Sequence, residues 1–285
     1  MAEDTEMEMG MGMESERIKG TIMTMFSTAS AVGKTLISCN LASALAKNGA
    51  KVCLVDLDLQ FGDICNYLQI QPNFTIADAQ QALNAQGENF NIEDYLTTYS
   101  YGGVEFSVLP APVKLEEAYN MNPAGIITML TKLQSSYGYV IIDTTSMFSV
   151  LNLDVLEIST IVLFMGIVDF IPTIKNMKIG TDTLRGLNYD RNKIRLILNR
   201  GGSDTRISMK DVQHLLGSEF DFILPNDFRA ASTSIKTGVP VVLEDDTTAL
   251  GKGIRQLVTR YTSSEDYENN EPMAKSGGWL SRLFG

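Results

Sequence analysis

The sequence predicts a doubly wound α/β fold, a mostly parallel sheet with helices on both faces. Three observations carry that expectation. Gly20–Phe26, Lys51–Asp56, Val104–Leu109, Tyr139–Asp143, Thr160–Met165 and Lys193–Leu198 are short, nearly continuous apolar runs. Strands covered on both faces read this way, because neither face is left to alternate with water. Helical patterns separate these runs, and strand–helix alternation without an internal break calls for crossover connections. With 285 residues, 44% hydrophobic and 20% charged, the chain can bury one large core of this kind.

In order along the chain, residues 1–18 read as a disordered tail, acidic and rich in methionine (MAEDTEMEMGMGMESE). A partner-binding role for this tail is the less favoured reading. Gly20–Phe26 is the first strand. After a stretch of small residues, Leu36, Ile37, Leu41, Ala42 and Leu45 recur at helical spacing, and Asn48-Gly49 ends that helix. Lys51–Asp56 is the second strand, Gly125–Leu133 a helix, and the remaining apolar runs complete the sheet. One domain over residues 19–262 follows, then an acidic linker at 263–276 and a short terminal segment at 277–285.

Composition removes several classes of function. The net charge of -11 and pI of about 4.6 argue against a protein that wraps nucleic acid, since neutralising phosphates needs clustered Lys and Arg. Cys39, Cys53 and Cys65 have no CxxC spacing and read as core thiols in a reducing compartment. His214 has no neighbouring ligand type, so a metal site there is not expected. No basic n-region or apolar run of about 20 residues is present. A cytoplasmic location, with peripheral anchoring at most, is the expectation.

The chemistry-bearing residues cluster at strand ends. Gly33-Lys34-Thr35 follows a strand and opens a helix. There, backbone N–H groups and the helix dipole face an anion. The expected ligand-binding stretch is Ser30, Ala31, Val32, Gly33, Lys34, Thr35 and Leu36. Lys34 is expected on β- and γ-phosphates and Thr35 on Mg²⁺. A GKT triplet alone also suits an ordinary strand–helix turn. Asp56 and Asp58 end the second strand with period-two spacing, and Asp143 ends the strand Tyr139–Ile142. A carboxylate in a dry strand end can hold Mg²⁺ through water. Three such signals in this order point to a nucleoside triphosphate with Mg²⁺. Asn199 after the Lys193–Leu198 run suits either an adenine edge or a turn.

These motifs resemble the ParA/MinD group of P-loop ATPases, deviant Walker A class. The stretches Asp56–Asp63, Thr75-Ile-Ala-Asp78, Leu109-Pro-Ala-Pro112, Leu198-Asn-Arg200, Ile223–Asp227 and Gly238–Val241 look like its CpaE/TadZ pilus-assembly branch. The resemblance spans residues 20 to about 260. It implies ATP and Mg²⁺ as cofactors, with Asp58 acting on the attacking water and Asp56 supporting the Mg²⁺ shell. It also places Pro225 and Asp227 near the base. It implies a homodimer that localises or assembles pilus or secretion machinery at the inner membrane face. Many members carry a receiver-like domain upstream, where this sequence shows the acidic tail. The loop departs from the pattern: Thr28, Ser30 and Ala31 stand where glycines are expected, and Ala29 where the group's second lysine lies. A tighter or differently shaped loop follows from lost glycine freedom. Slow or absent hydrolysis follows from the lost cation. Lys34 and Asp58 are the expected catalytic residues. The alternatives are a non-hydrolysing scaffold, a MinD-like division-site ATPase and a ParA-like partition ATPase.

In the terminal segment, Trp279, Leu280, Leu283 and Phe284 share a helical face, with Ser281 and Arg282 opposite. This pattern suits an interfacial helix and resembles the membrane-targeting tail of MinD. Burying four such side chains yields ~6–10 kcal/mol gross, against about 1 kcal/mol or more per ordered residue. One copy is therefore marginal, and a dimer gains by effective concentration.

Overall fold

The structure, a computed structural model, describes residues 19–169, 171–203 and 207–262. The tail at 1–18, the linker at 263–276 and the segment carrying Trp279, Leu280, Leu283 and Phe284 lie outside the described residues. The eight strands are β1 Thr21–Phe26, β2 Val52–Leu57, β3 Thr97–Tyr101, β4 Val104–Leu109, β5 Tyr139–Thr144, β6 Ile161–Gly166, β7 Ile194–Gly201 and β8 Phe222–Pro225. They form one sheet in the order β3-β4-β2-β5-β1-β6-β7-β8. Every pairing is parallel except β3 with β4.

The expected strands sit within a residue or two of their places, except that β7 runs three residues further, to Gly201. β3 was not foreseen. Its run Thr-Thr-Tyr-Ser-Tyr buries only Tyr99, so no apolar block marks it, and the hairpin through Gly102 and Gly103 supplies its partner. β8 was noticed only as a motif, because four residues are too few to show a period.

The helices are α1 Lys34–Lys47, α2 Ile64–Leu68, α3 Ile76–Gln86, α4 Leu115–Tyr119, α5 Pro123–Ser136, α6 Val150–Ile158, α7 Ile171–Gly186, α8 Met209–Leu216, α9 Phe228–Thr237, α10 Val241–Glu244 and α11 Ala249–Thr262. α5 begins before the expected Gly125. Pro123 supplies a preset φ in the first turn, and the Asn122 side chain caps it by accepting the Ala124 N–H at 3.0 Å.

Alternation along β1 divides the core between the two faces of the sheet. Met23 and Met25 pack with α1, α10 and α11 through Ile37, Leu41, Ile254 and Leu257. Ile22 packs on the opposite face with α3 and α5 through Ile76, Ile126 and Leu130. Phe26 joins Phe164, Leu184 and Leu216 beside α7 and α8. Each such side chain contributes roughly 1.5–3 kcal/mol by leaving water.

α1 lies between the sheet and α11, so all of Ile37–Leu45 is buried. That confinement favours its small residues Ser38, Cys39, Ala42, Ser43 and Ala44. It also forces its polar groups to find partners. Ser43 donates to Cys39 O at 2.7 Å, and Asn40 donates to Leu36 O at 2.8 Å and to the Tyr67 hydroxyl at 3.1 Å. The helix that follows the Gly33-Lys34-Thr35 turn is therefore held on two sides.

Candidate functional site

β1, β2, β5 and β7 all point their carboxyl ends at one edge of the sheet, where crevices form in open α/β sheets. The loop from Ser27 to Gly33 leaves β1 there. Its first turn is closed by the Ser27 hydroxyl, which accepts the Ala29 N–H at 3.0 Å. Gly33 sits at the α1 N-cap with φ 94°, no side chain caps the helix, and its first turn holds no acidic residue. The first N–H groups of α1 thus face the crevice, as an anion site requires. A Cβ at Gly33 would stand 2.6 Å from Asn199 Nδ2, so only glycine suits this position.

Ala31 stands where the resemblance expects a glycine. It takes φ 58°, the left-handed conformation that glycine would adopt freely. The loop keeps this turn at a steric cost of ~1–2 kcal/mol. Packing explains how the turn survives. Val32 is fully buried, and its carbonyl accepts the Asn199 side-chain N–H at 2.8 Å.

Asn199, expected at either an adenine edge or a turn, lines the neighbouring cleft and makes two local bonds. Its Nδ2 supports the loop, and its Oδ1 accepts the Arg200 N–H at 2.9 Å. One N–H and one lone pair remain for a base.

Lys34 and Thr35 begin α1 and reach in different directions. The Lys34 ammonium donates to Ser146 Oγ at 2.9 Å, and Ser146 donates in turn to Ala29 O at 2.8 Å. The Thr35 hydroxyl donates to Asp143 Oδ2 at 2.6 Å, and the Ser38 hydroxyl to Asp143 Oδ1 at 3.3 Å. Parallel register sets Asp56 beside Asp143 on adjacent strands. Asp56 braces the turn after β2: it accepts N–H bonds from Asp58 and Ile64, each at 3.1 Å. Gly62 permits that brace, since a Cβ there would fall 2.6 Å from Asp56 Oδ2. Asp58 reaches the crevice wall and accepts the Phe61 N–H at 3.3 Å.

The buried charges are mutually strained. Burial raises the Asp143 carboxyl to about 6, against the Thr35 hydrogen bond and the Lys34 charge that pull it down. Burial and the neighbouring Asp143 charge push Asp56 well above the usual carboxylate range. Burial lowers Lys34, while Asp143 and Asp58 support its charge. A hydrated divalent cation beside Thr35 and Asp143 would relieve the carboxylates. Oxygen donors of this kind, with most ligands left as water, suit Mg²⁺. The residues present therefore fit the metal and an anionic ligand.

A cavity of about 870 Å³ runs over Gly33, Lys34, Thr35 and Asp58, and Ser30, Ala31 and Leu36 also line it. A second cleft of about 690 Å³ shares Gly33, Leu36 and Ile235 with the first. It extends past Asn199 and Arg200 to Pro225, Asn226 and Asp227. The Asp227 carboxylate caps α9 through the Ala230 N–H at 3.1 Å and accepts from Leu250 N–H at 3.4 Å. It shapes this cleft while already holding two donors.

Sequence reasoning missed Ser38, Ser146 and Asn152. Asn152 is buried and spans the turn after β5, donating to Thr145 Oγ1 at 2.8 Å and Met147 O at 2.7 Å. The Asp143-Thr-Thr-Ser146 stretch carried a usable signal, a hydroxyl three residues beyond the strand-end carboxylate.

Known proteins share this fold. A family model described as an AAA domain matches residues 20–178. The septum site-determining protein MinD of Thermotoga maritima is 24% identical over 271 residues, covering 93% of this chain and 96% of that protein. A ParA family ATPase from Chlorobium tepidum superposes with a TM-score of 0.76 at 21% identity, covering 84% of this chain and 98% of that one. The MinD of Pyrococcus horikoshii, solved with Mg-ADP, gives 0.72 at 20% identity, covering 86% and 96%.

Proposed function

Starting from a chain that belongs to the ParA/MinD-type P-loop ATPase family, we propose that it is a nucleotide-driven switch that binds ATP with Mg²⁺ and positions other machinery in the cell. One observation carries this reading. Lys34, Thr35 and Asp58 line the cavity at the sheet edge, Asp143 holds the Thr35 hydroxyl, and the cavity adjoins the cleft of Asn199, Pro225 and Asp227. Bound nucleotide would place its phosphates over the α1 N-terminus and Lys34, and its base in that cleft. Mg²⁺ would be held by Thr35, with Asp143 orienting the threonine. When bound, the ion supplies charge neutralisation between phosphate oxygens. Asp58 is assigned to the attacking water, and Asp56 to shaping the turn that carries Asp58.

Turnover is proposed to be slow. Ala29 offers no cation for charge developing on the phosphoryl group, and such a loss can cost several kcal/mol of barrier. Calorimetry with ATP and ADP in the presence of Mg²⁺, alongside phosphate release, tests the reading on wild type and Lys34→Ala. Nucleotide binding that disappears in Lys34→Ala supports the switch. Equal behaviour of the two proteins removes it.

The machinery is proposed to be a pilus or secretion apparatus, on the strength of the Asp56–Asp63, Leu109–Pro112 and Gly238–Val241 resemblance. Division-site placement is the second reading, favoured by full-length similarity to MinD. Both readings use a homodimer. Phe61, Met147 and Ile235 stand exposed along the cavity and would lie in the paired face. Both also use peripheral membrane contact through Trp279, Leu280, Leu283 and Phe284. No helix among the described residues is long and apolar enough to cross a membrane. Removing residues 277–285 is expected to abolish liposome co-sedimentation and leave nucleotide affinity intact. Unchanged co-sedimentation would locate the anchor elsewhere.

A further inference from the structure

We propose that Arg200 is a phosphate-binding cation, serving the terminal phosphate from the cleft side of the loop, where it meets Ala31. The proposal rests on the nucleotide-binding reading above. Among the described residues, the basic side chains lining the two adjoining cavities are Lys34, Arg200 and Lys236. Lys34 is placed at the start of α1. Arg200 is the one that touches the loop from outside: its Nη2 donates to Ala31 O at 3.2 Å. Ala31 lines the phosphate-side cavity and Arg200 the adjoining cleft, so the guanidinium stands at the boundary between them.

The backbone beneath Arg200 is built to aim it. Arg200 takes φ 56°, uncommon for a long side chain and a form of strain that clusters at ligand sites. The pairing of β7 with β8 shifts register between Leu198 and Gly201. Irregularities of this kind re-aim a side chain at a strand end. Two hydrogen bonds hold the conformation: Asn199 Oδ1 accepts the Arg200 N–H at 2.9 Å, and the Ser203 hydroxyl donates to Arg200 O at 2.7 Å. Asn199 also holds Val32 O, so one side chain fixes both the loop and the arginine.

The side-chain contacts, by contrast, are easily exchanged. The ion pair with Asp169 is 3.4 Å long and its arginine is 44% exposed. Exposed pairs contribute little, whereas a guanidinium–phosphate pair is a strong, two-pronged, charge-assisted contact. A fixed backbone with a loosely held head describes a cation ready to leave Asp169 for a phosphate.

Binding of ADP and of the non-hydrolysable analogue AMP-PNP, both with Mg²⁺, tests this by calorimetry on wild type, Arg200→Gln, Arg200→Lys and Asp169→Asn. Removing one charged hydrogen-bonding partner is expected to weaken AMP-PNP about tenfold or more. ADP should change by less than about threefold on the same grounds. Arg200→Lys should recover part of the loss, and Asp169→Asn should leave AMP-PNP binding equal or tighter. Thermal melting of each variant establishes folding, which partial exposure of the side chain favours. An equal loss of ADP and AMP-PNP in Arg200→Gln overturns the proposal, because a guanidinium that only stacks on the base or pins Ala31 affects both alike. An unchanged ratio with unchanged affinities overturns it too. If wild type binds neither nucleotide and Lys34→Ala matches it, the nucleotide reading itself has failed. Wild-type binding sensitive to Lys34→Ala, with no effect at Arg200, rejects this proposal alone.

Discussion

Replacing Asp143 by Asn should stabilise the nucleotide-free protein at neutral pH. The Asp143 carboxyl is buried, and its pKa is raised from 3.8 to about 6, with desolvation as the largest cause. An acid with a raised folded pKa holds its proton more tightly in the folded chain than in the unfolded one. Wild type is therefore unpenalised below about pH 4, loses stability as the pH climbs through the interval from 3.8 to about 6, and stays at the lower value above it. Two pH units correspond to about 3 kcal/mol.

Asparagine carries no charge at any pH and escapes that loss. It gives back part of the gain. The bonds from Thr35 and Ser38 become neutral ones, worth roughly 1 kcal/mol less, and Lys34 loses a supporting charge. A net gain of about 1–2 kcal/mol at pH 7.5 remains, or about 2–4 °C of melting temperature per kcal/mol. Urea unfolding of both proteins at pH 4, 5, 6 and 7.5 measures it. Dilute samples are needed because the pI of about 4.6 falls inside this range. The advantage of the variant should grow by about 2 kcal/mol from pH 4 to 7.5. A variant less stable than wild type at pH 7.5, or a difference that does not vary with pH, would refute the account of Asp143 as a strained, desolvated charge.

Two further substitutions probe the loop. Ala31→Gly removes the cost of a left-handed alanine and should raise stability by ~0.5–1 kcal/mol, after subtracting glycine's greater unfolded-state entropy; urea midpoints decide, and any destabilisation would mean the turn is not strained. Ser146→Ala frees Lys34 and releases Ala29 O. It should shift nucleotide affinity by less than about tenfold while costing ~1 kcal/mol of stability; complete loss of binding would make Ser146 a direct ligand contact.

The doubly wound sheet was legible because strands buried on both faces must be apolar throughout, as Cys53–Val55 and Val140–Ile142 are. The order of Lys34, Thr35, Asp58 and Asp143 was legible for a related reason: each stands at a strand end or just beyond it, so the predicted sheet already gathers them at one edge. Tertiary structure alone decided which polar groups each of them meets. Ser146 and Ser38 reach Lys34 and Asp143 across sequence separations of more than a hundred residues, distances over which no local period operates. Packing of Val32 and its bond to Asn199 decided that Ala31 would hold a glycine's conformation, against the local preference of alanine. The raised carboxyls of Asp56 and Asp143 exist only because parallel register sets their strands side by side and both side chains are buried. Sequence thus specified the residues that line the sheet edge, and burial and long-range contact determined their charge and hydrogen-bonding state.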